Sequence, residues 1–165
     1  MAVDYKSIGI LLLMPGDNWV YETYSNSYVT DLIGFGPLNT IVLYPNEFSS
    51  DYLGKEGQKI GVISRFEQAT KYPKKNAPLS EYVKYKNEEH TGVEITLQEN
   101  ATIDGQEAIK VHGNELGSYS SIKYIFYYVI YDNQSYYISY AADTQSFAKY
   151  LQDFEKMVKS FKFLR

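Results

Sequence analysis

His90 and His112 are the only histidines in the chain, and His90 closes an acidic run, Glu88-Glu89-His90. Such a run offers carboxylate and imidazole groups for a metal ion or for acid–base work. Consecutive helical residues diverge by about 100° around the axis, so these three do not converge on one ion. The run reads as a solvated helix end. His112 shares a strand face with Ala108 and Lys110, which supply no second ligand, so an exposed or hydrogen-bonded imidazole is expected there. Asp17 with Asp31 or Asp51 would form an acid pair only if distant loops assembled it, and no spacing supports that. Gly34-Phe35-Gly36-Pro37 lacks the third glycine and the following helix of a phosphate-binding loop, and reads as a turn. No serine nucleophile elbow, phosphate loop or zinc-protease motif is present. No catalytic residue, cofactor or bound metal is therefore expected.

The elements that must hold these side chains fit one domain spanning residues 1–165. Sixteen basic and 20 acidic residues leave a net charge of −4. That argues against a nucleic-acid binder, which needs a basic face. The absence of cysteine removes disulfides, cysteine-ligated zinc and thiol catalysis. It leaves the compartment open: cytoplasmic, or extracytoplasmic if a signal or anchor stood before residue 1. The longest apolar run, Ile8 to Met14, is far short of the roughly 20 residues that cross a bilayer. No transmembrane segment is expected, and size and apolar content suit a stable monomer.

Ile8 to Met14, Trp19 to Tyr24, Thr40 to Tyr44 and Lys59 to Phe66 read as strands in the first part of the chain. Val93, Ile95 and Leu97 alternate with Glu94, Thr96 and Gln98, the period of a half-buried strand. Asp104-Gly105 is a tight hairpin turn, and Glu107 to His112 is the returning strand. Ile122 to Tyr131 and Gln134 to Ala141 flank a second turn pair, Asp132-Asn133. A two-residue loop there sets Tyr128 against Tyr137, Val129 against Tyr136 and Phe126 against Ser139. Both faces of this hairpin are apolar, so its strands should be central, with something packed on each side.

Two helices are readable. One runs from Pro78 to about Glu88, with Leu79, Tyr82, Val83 and Lys86 on one face. The other carries Phe147, Tyr150, Leu151, Phe154, Met157, Val158 and Phe161 at helical spacing, with Asp143 as its N-cap. The fold class is α+β: an antiparallel sheet of about six strands with helices packed on it, an α/β/α sandwich.

Of 18 tyrosines, eight lie between Tyr119 and Tyr140, where a packed sheet accounts for them. Tyr24, Tyr28, Tyr52 and Tyr72 fall outside any core pattern. Lys71, Lys74 and Lys75 surround Tyr72 in a proline-bearing loop. The candidate partner-binding residues are Tyr28, Phe35, Tyr52, Lys71, Tyr72, Lys74 and Lys75. Exposed loop aromatics are the kind of anchor that dominates binding energy.

Four short segments resemble the PsbP-like family, which includes the extrinsic subunit of the oxygen-evolving photosystem. The same fold occurs in a nuclear-import factor that binds the GTPase Ran. Pro15-Gly16-Asp17-Asn18-Trp19 resembles the family's proline-to-tryptophan turn after the first strand. Ile103-Asp104-Gly105-Gln106-Glu107-Ala108 resembles its turn into a mid-chain strand. Tyr136-Tyr137-Ile138-Ser139-Tyr140 resembles its penultimate tyrosine-rich strand, and Ser160-Phe161-Lys162-Phe163 its closing Ser-Phe. Tyr28 to Tyr44, long and rich in glycine, departs from the pattern. The resemblance implies binding to proteins rather than a shared catalytic step. The expected function is a non-catalytic binding or adaptor domain that docks on a macromolecular partner, and the resemblance implies that this partner is a protein. The alternatives are a carrier of a small apolar or aromatic ligand between the sheet and the C-terminal helix, and an enzyme with acid residues assembled from loops.

Overall fold

The computed structural model describes residues 2–5, 10–14, 18–25, 38–47, 62–69, 78–89, 92–116 and 122–164. In chain order these form β1 (Ala2–Tyr5), β2 (Ile10–Leu13), β3 (Trp19–Ser25), β4 (Leu38–Pro45) and β5 (Val62–Ala69). Then come α1 (Leu79–Glu89), β6 (Val93–Ile103), β7 (Gln106–Glu115), β8 (Ile122–Tyr131), β9 (Gln134–Asp143), α2 (Thr144–Ser160) and β10 (Lys162–Phe163).

The β8–β9 hairpin turns at Asp132 and Asn133, with φ of 49° and 60°. Two successive left-handed residues match the right-handed twist of the flanking strands, so the turn is tight. Its register pairs Tyr128 with Tyr137, Val129 with Tyr136 and Phe126 with Ser139, as the two-residue loop requires. Asp104 and Gly105, with φ of 47° and 77°, turn β6 into β7 in the same way. The main sheet is antiparallel and has seven strands, one more than expected, in the order β3-β4-β5-β9-β8-β7-β6.

The hairpin's two apolar faces receive one helix each. Ile125, Tyr127, Val129, Tyr136, Ile138 and Tyr140 pack with Tyr150, Phe154, Met157 and Val158 of α2. Phe154 is fully buried and stacks on Tyr140 at 4.9 Å. Asp143 caps α2 by accepting a hydrogen bond from the Ser146 amide at 2.7 Å. The helix ends at Ser160, and Phe161 is an extended, buried C-cap rather than part of the helical stripe. On the opposite face Phe126, Tyr128 and Tyr137 pack with Tyr82 and Val83 of α1. Tyr82 meets Tyr128 edge-on at 5.6 Å, and the Lys86 ammonium stands over the Tyr137 ring at 5.1 Å.

A second, three-stranded sheet, β1-β2-β10, joins the beginning and end of this sequence and was not foreseen. The apolar run does form a strand, β2, but in this smaller sheet. β10 follows α2 directly and inserts Phe163 against Tyr131 at 4.3 Å and Tyr136 at 5.0 Å. The β6–β7 turn holds it: Asp104 accepts from the Lys162 ammonium at 2.8 Å and from the Phe163 amide at 3.1 Å.

The single alternating face expected of Val93, Ile95 and Leu97 is broken. A bulge lies between Ile95 and Leu97, so Ile95 pairs with Gly113 while Leu97 pairs with His112. The extra residue, Thr96, sends Leu97 to the face opposite Ile95. Its hydroxyl donates to the His112 carbonyl at 3.3 Å. Glycine is required beside this bulge. A Cβ at Gly113 would stand 2.5 Å from Val93 Cγ1 and 3.1 Å from the Glu94 carbonyl oxygen.

Phe154→Ala is expected to destabilise the protein by about 3–5 kcal/mol, the cost of a cavity at a buried phenylalanine. Gly113→Ala should cost about 1–3 kcal/mol through overpacking. Urea unfolding followed by circular dichroism measures both. A loss below about 0.5 kcal/mol, as at surface sites, would contradict the packing of the residue concerned.

Candidate binding groove

The loop residues singled out from the sequence, Tyr28, Phe35, Tyr52, Lys71, Tyr72, Lys74 and Lys75, lie outside the described residues. So do Asp17, Asp31, Asp51 and His90. Among the described residues no three His, Cys, Asp or Glu side chains gather where they could hold a metal ion.

Polar side chains cluster on the α2 side, where β7 and β8 meet the helix. Glu155 accepts from the Tyr127 hydroxyl and from the Lys110 ammonium, each at 3.1 Å. Lys110 also lies 5.4 Å over the Tyr127 ring. Burial pushes the Tyr127 phenol well above its ordinary range. The nearby Glu155 charge, the hydrogen bond to it and the more distant Glu99 charge act in the same direction. The phenol is thus a fixed donor, not a base. One register position further along the strand, His112 Nε2 contacts Glu99 at 3.2 Å, the hydrogen-bonded imidazole expected of it. On β3, Trp19 donates to Asp153 at 3.0 Å. Each carboxylate here already serves a donor, and Glu155 and Asp153 anchor α2 to the sheet.

The other side differs because its helix is short. α1 has 11 residues and spans about 16 Å, whereas β6, also of 11 residues, spans about 36 Å. A helix cannot cover a strand with twice its reach. β6 is also the last strand of the sheet, and residues 94–100 are all exposed. Ile95 is 36% exposed on the α1 side and Leu97 50% exposed on the α2 side. Among the described residues no strand pairs with the outer edge of β6.

Between α1 and the β6–β7 pair runs an open groove of about 620 Å³. Leu79, Val83 and Ile109 give it an apolar floor. Glu88, Glu107 and Lys84 stand on its polar rim. Asn87 Nδ2 reaches Gln98 Oε1 at 3.5 Å and ties helix to strand. Glu88 and Glu107 are exposed and form no ion pair among the described residues. The flank is therefore apolar at its base and mainly anionic at its rim.

Sequence reasoning placed recognition in loops and overlooked this flank. The signal was present in Gln98-Glu99-Asn100. Three consecutive polar residues in a strand put polar groups on both faces, which suits an outermost strand rather than a half-buried one.

No family model matches the sequence, and no curated protein does. Several solved structures share the fold. The solution structure of cyanobacterial PsbP (CyanoP) from Synechocystis sp. PCC 6803 aligns with a TM-score of 0.58 at 11% identity, covering 99% of this chain and 91% of that one. LpqN of Mycobacterium tuberculosis, described as involved in cell envelope biogenesis, aligns at 0.54 and 9% identity, covering 100% and 90%. A protein of unknown function from Pseudomonas aeruginosa aligns at 0.51 and 7% identity, covering 97% and 94%. The chain has a PsbP-like fold, in agreement with the resemblance read from its motifs. These similarities establish architecture and leave activity open. Among the described residues no helix is long and apolar enough to cross a membrane.

The raised Tyr127 phenol predicts a stability that falls in alkali. Its phenol is raised in the folded state, so the unfolded chain loses this proton first, from a pH of about 10. Above that pH the unfolded state binds fewer protons, and stability falls as pH rises. Tyr127→Phe should be less stable at pH 8, for want of the bond to Glu155, yet decline less steeply between pH 9 and about 11.5. Urea midpoints across that range decide it, and parallel curves for the two proteins would contradict the assignment.

Proposed function

We propose that the chain is a non-catalytic binding module that docks on a macromolecular partner. The observation that carries this reading is the flank formed by β6 and the α1 groove. It combines an exposed outermost strand, apolar side chains and carboxylates without an ion pair among the described residues. Proteins generally cover or blunt such strand edges, so one with which no strand pairs among the described residues, beside a groove, is suited to receiving another chain. The polar groups on the α2 side support the same reading, because they satisfy one another. Tyr28, Phe35, Tyr52, Lys71, Tyr72, Lys74 and Lys75 remain proposed as further contact residues on the strength of their sequence.

The test uses the whole chain as bait in extract of its native host, then the purified partner in calorimetry. The expected result is a saturable complex of defined stoichiometry. Tyr28→Ala and Tyr52→Ala, and the combined change of Lys71, Lys74 and Lys75 to Ala, should each weaken it without altering the circular dichroism spectrum. Unchanged affinity in all three variants would remove those loops from the surface. Turnover of a small molecule with no such complex would overturn the reading itself.

A further inference from the structure

We infer that β6 and the groove beside α1 receive an extended, basic peptide segment of a partner protein, which adds to the main sheet as an eighth strand. The inference rests on the binding-module reading and gives that partner a chemistry. An edge strand turns alternate backbone N–H and C=O groups outward, and an extended peptide satisfies them with hydrogen bonds while its side chains fall on the two faces. Leu97 to Ile103 run in unbroken register with β7. This segment of seven residues offers about 23 Å of regular edge. The bulge at Ile95 and Leu97 bends the strand at one end of it.

Side chains of the added strand would meet the exposed Leu97 on one face and the groove on the other. Two carboxylates line that groove, Glu88 and Glu107, both exposed and without ion pairs among the described residues. Lys84 opposes them on the rim. Glu99 is engaged by His112. The surplus of negative charge selects lysine and arginine in the partner and repels phosphate. It also disfavours a second copy of this chain. Pairing β6 with itself would bring two acidic flanks together on molecules that each carry a charge of −4.

The test uses the full chain and a nine-residue peptide that alternates lysine with valine. Amide chemical shifts and hydrogen exchange locate the peptide, and fluorescence anisotropy measures its affinity. Binding should protect amides in residues 97–103 and shift those of α1. The doubly changed Glu88→Lys, Glu107→Lys protein should bind at least tenfold more weakly, with an unaltered circular dichroism spectrum. A peptide methylated on alternate backbone nitrogens keeps its charge but cannot add as a strand, and should also lose at least tenfold. Equal binding by the methylated peptide would reduce the effect to surface charge and overturn strand addition. Protection elsewhere, no binding at all, or self-association through residues 97–103 without peptide would overturn it as well. The same double variant serves as bait in host extract. If the peptide does not bind but this bait still captures the partner, the inference fails and the binding-module reading stands. If neither wild type nor variant captures anything, that reading fails too.

Discussion

The pairing of β8 with β9 is the constraint from which the remaining architecture follows. Its ten-residue strands place large apolar side chains on both faces, so water must be excluded from both. A strand pair of this kind is stable only at the centre of a layered structure. β5 and β7 close its lateral edges, and a helix closes each face. Ser135 and Ser139 sit buried on the α1 side among Phe126, Tyr128 and Tyr137. These small side chains leave room there for the large rings around them.

The two helices do this work unequally. α2 is 17 residues long, capped at its start, and bound to the sheet by Trp19, Tyr127 and Lys110 as well as by its apolar stripe. α1 is shorter and contributes Tyr82 and Val83 to a smaller cluster. The sheet continues past α1 through β7 to β6. The exposed flank is thus a geometric remainder of a seven-stranded sheet with a short helix on one side. Its chemistry comes from the residues placed there, which are carboxylates over an apolar floor.

Most of this core was legible because it is specified locally. The turn pair Asp132-Asn133 determines which residues of β8 and β9 face each other, and the spacing of Phe147 to Val158 determines which side of α2 is buried. Asp143 was recognisable as a cap from its position before that stripe. The bulge was not legible. Thr96 fits an alternating pattern well, and only the pairing with Gly113 and His112 reveals the added residue. β10 was missed because two residues carry no periodicity. Its identity as a strand depends on β2, far away in sequence. The groove was equally hidden, since it results from the relative lengths of α1 and β6 and from their neighbours in space. Local patterns encode faces and turns, whereas open edges depend on what the rest of the chain leaves uncovered.

The partnership of β2 with β10 has a consequence for how the protein is made. Leu11 and Lys162, which pair in the small sheet, are separated by roughly 150 residues. A ribosome adding about 5–20 residues per second produces β10 on the order of ten seconds after β2. Until β10 is made, β1 is the one partner from the small sheet that exists for the apolar strand Ile10–Leu13. Its other edge stays open to any strand that the growing chain, a neighbouring nascent chain or a chaperone presents. The main sheet has all its strands by Asp143, so β10 is synthesised after every one of them. Its completion coincides with the docking of Phe163 and the capture of Lys162 by Asp104.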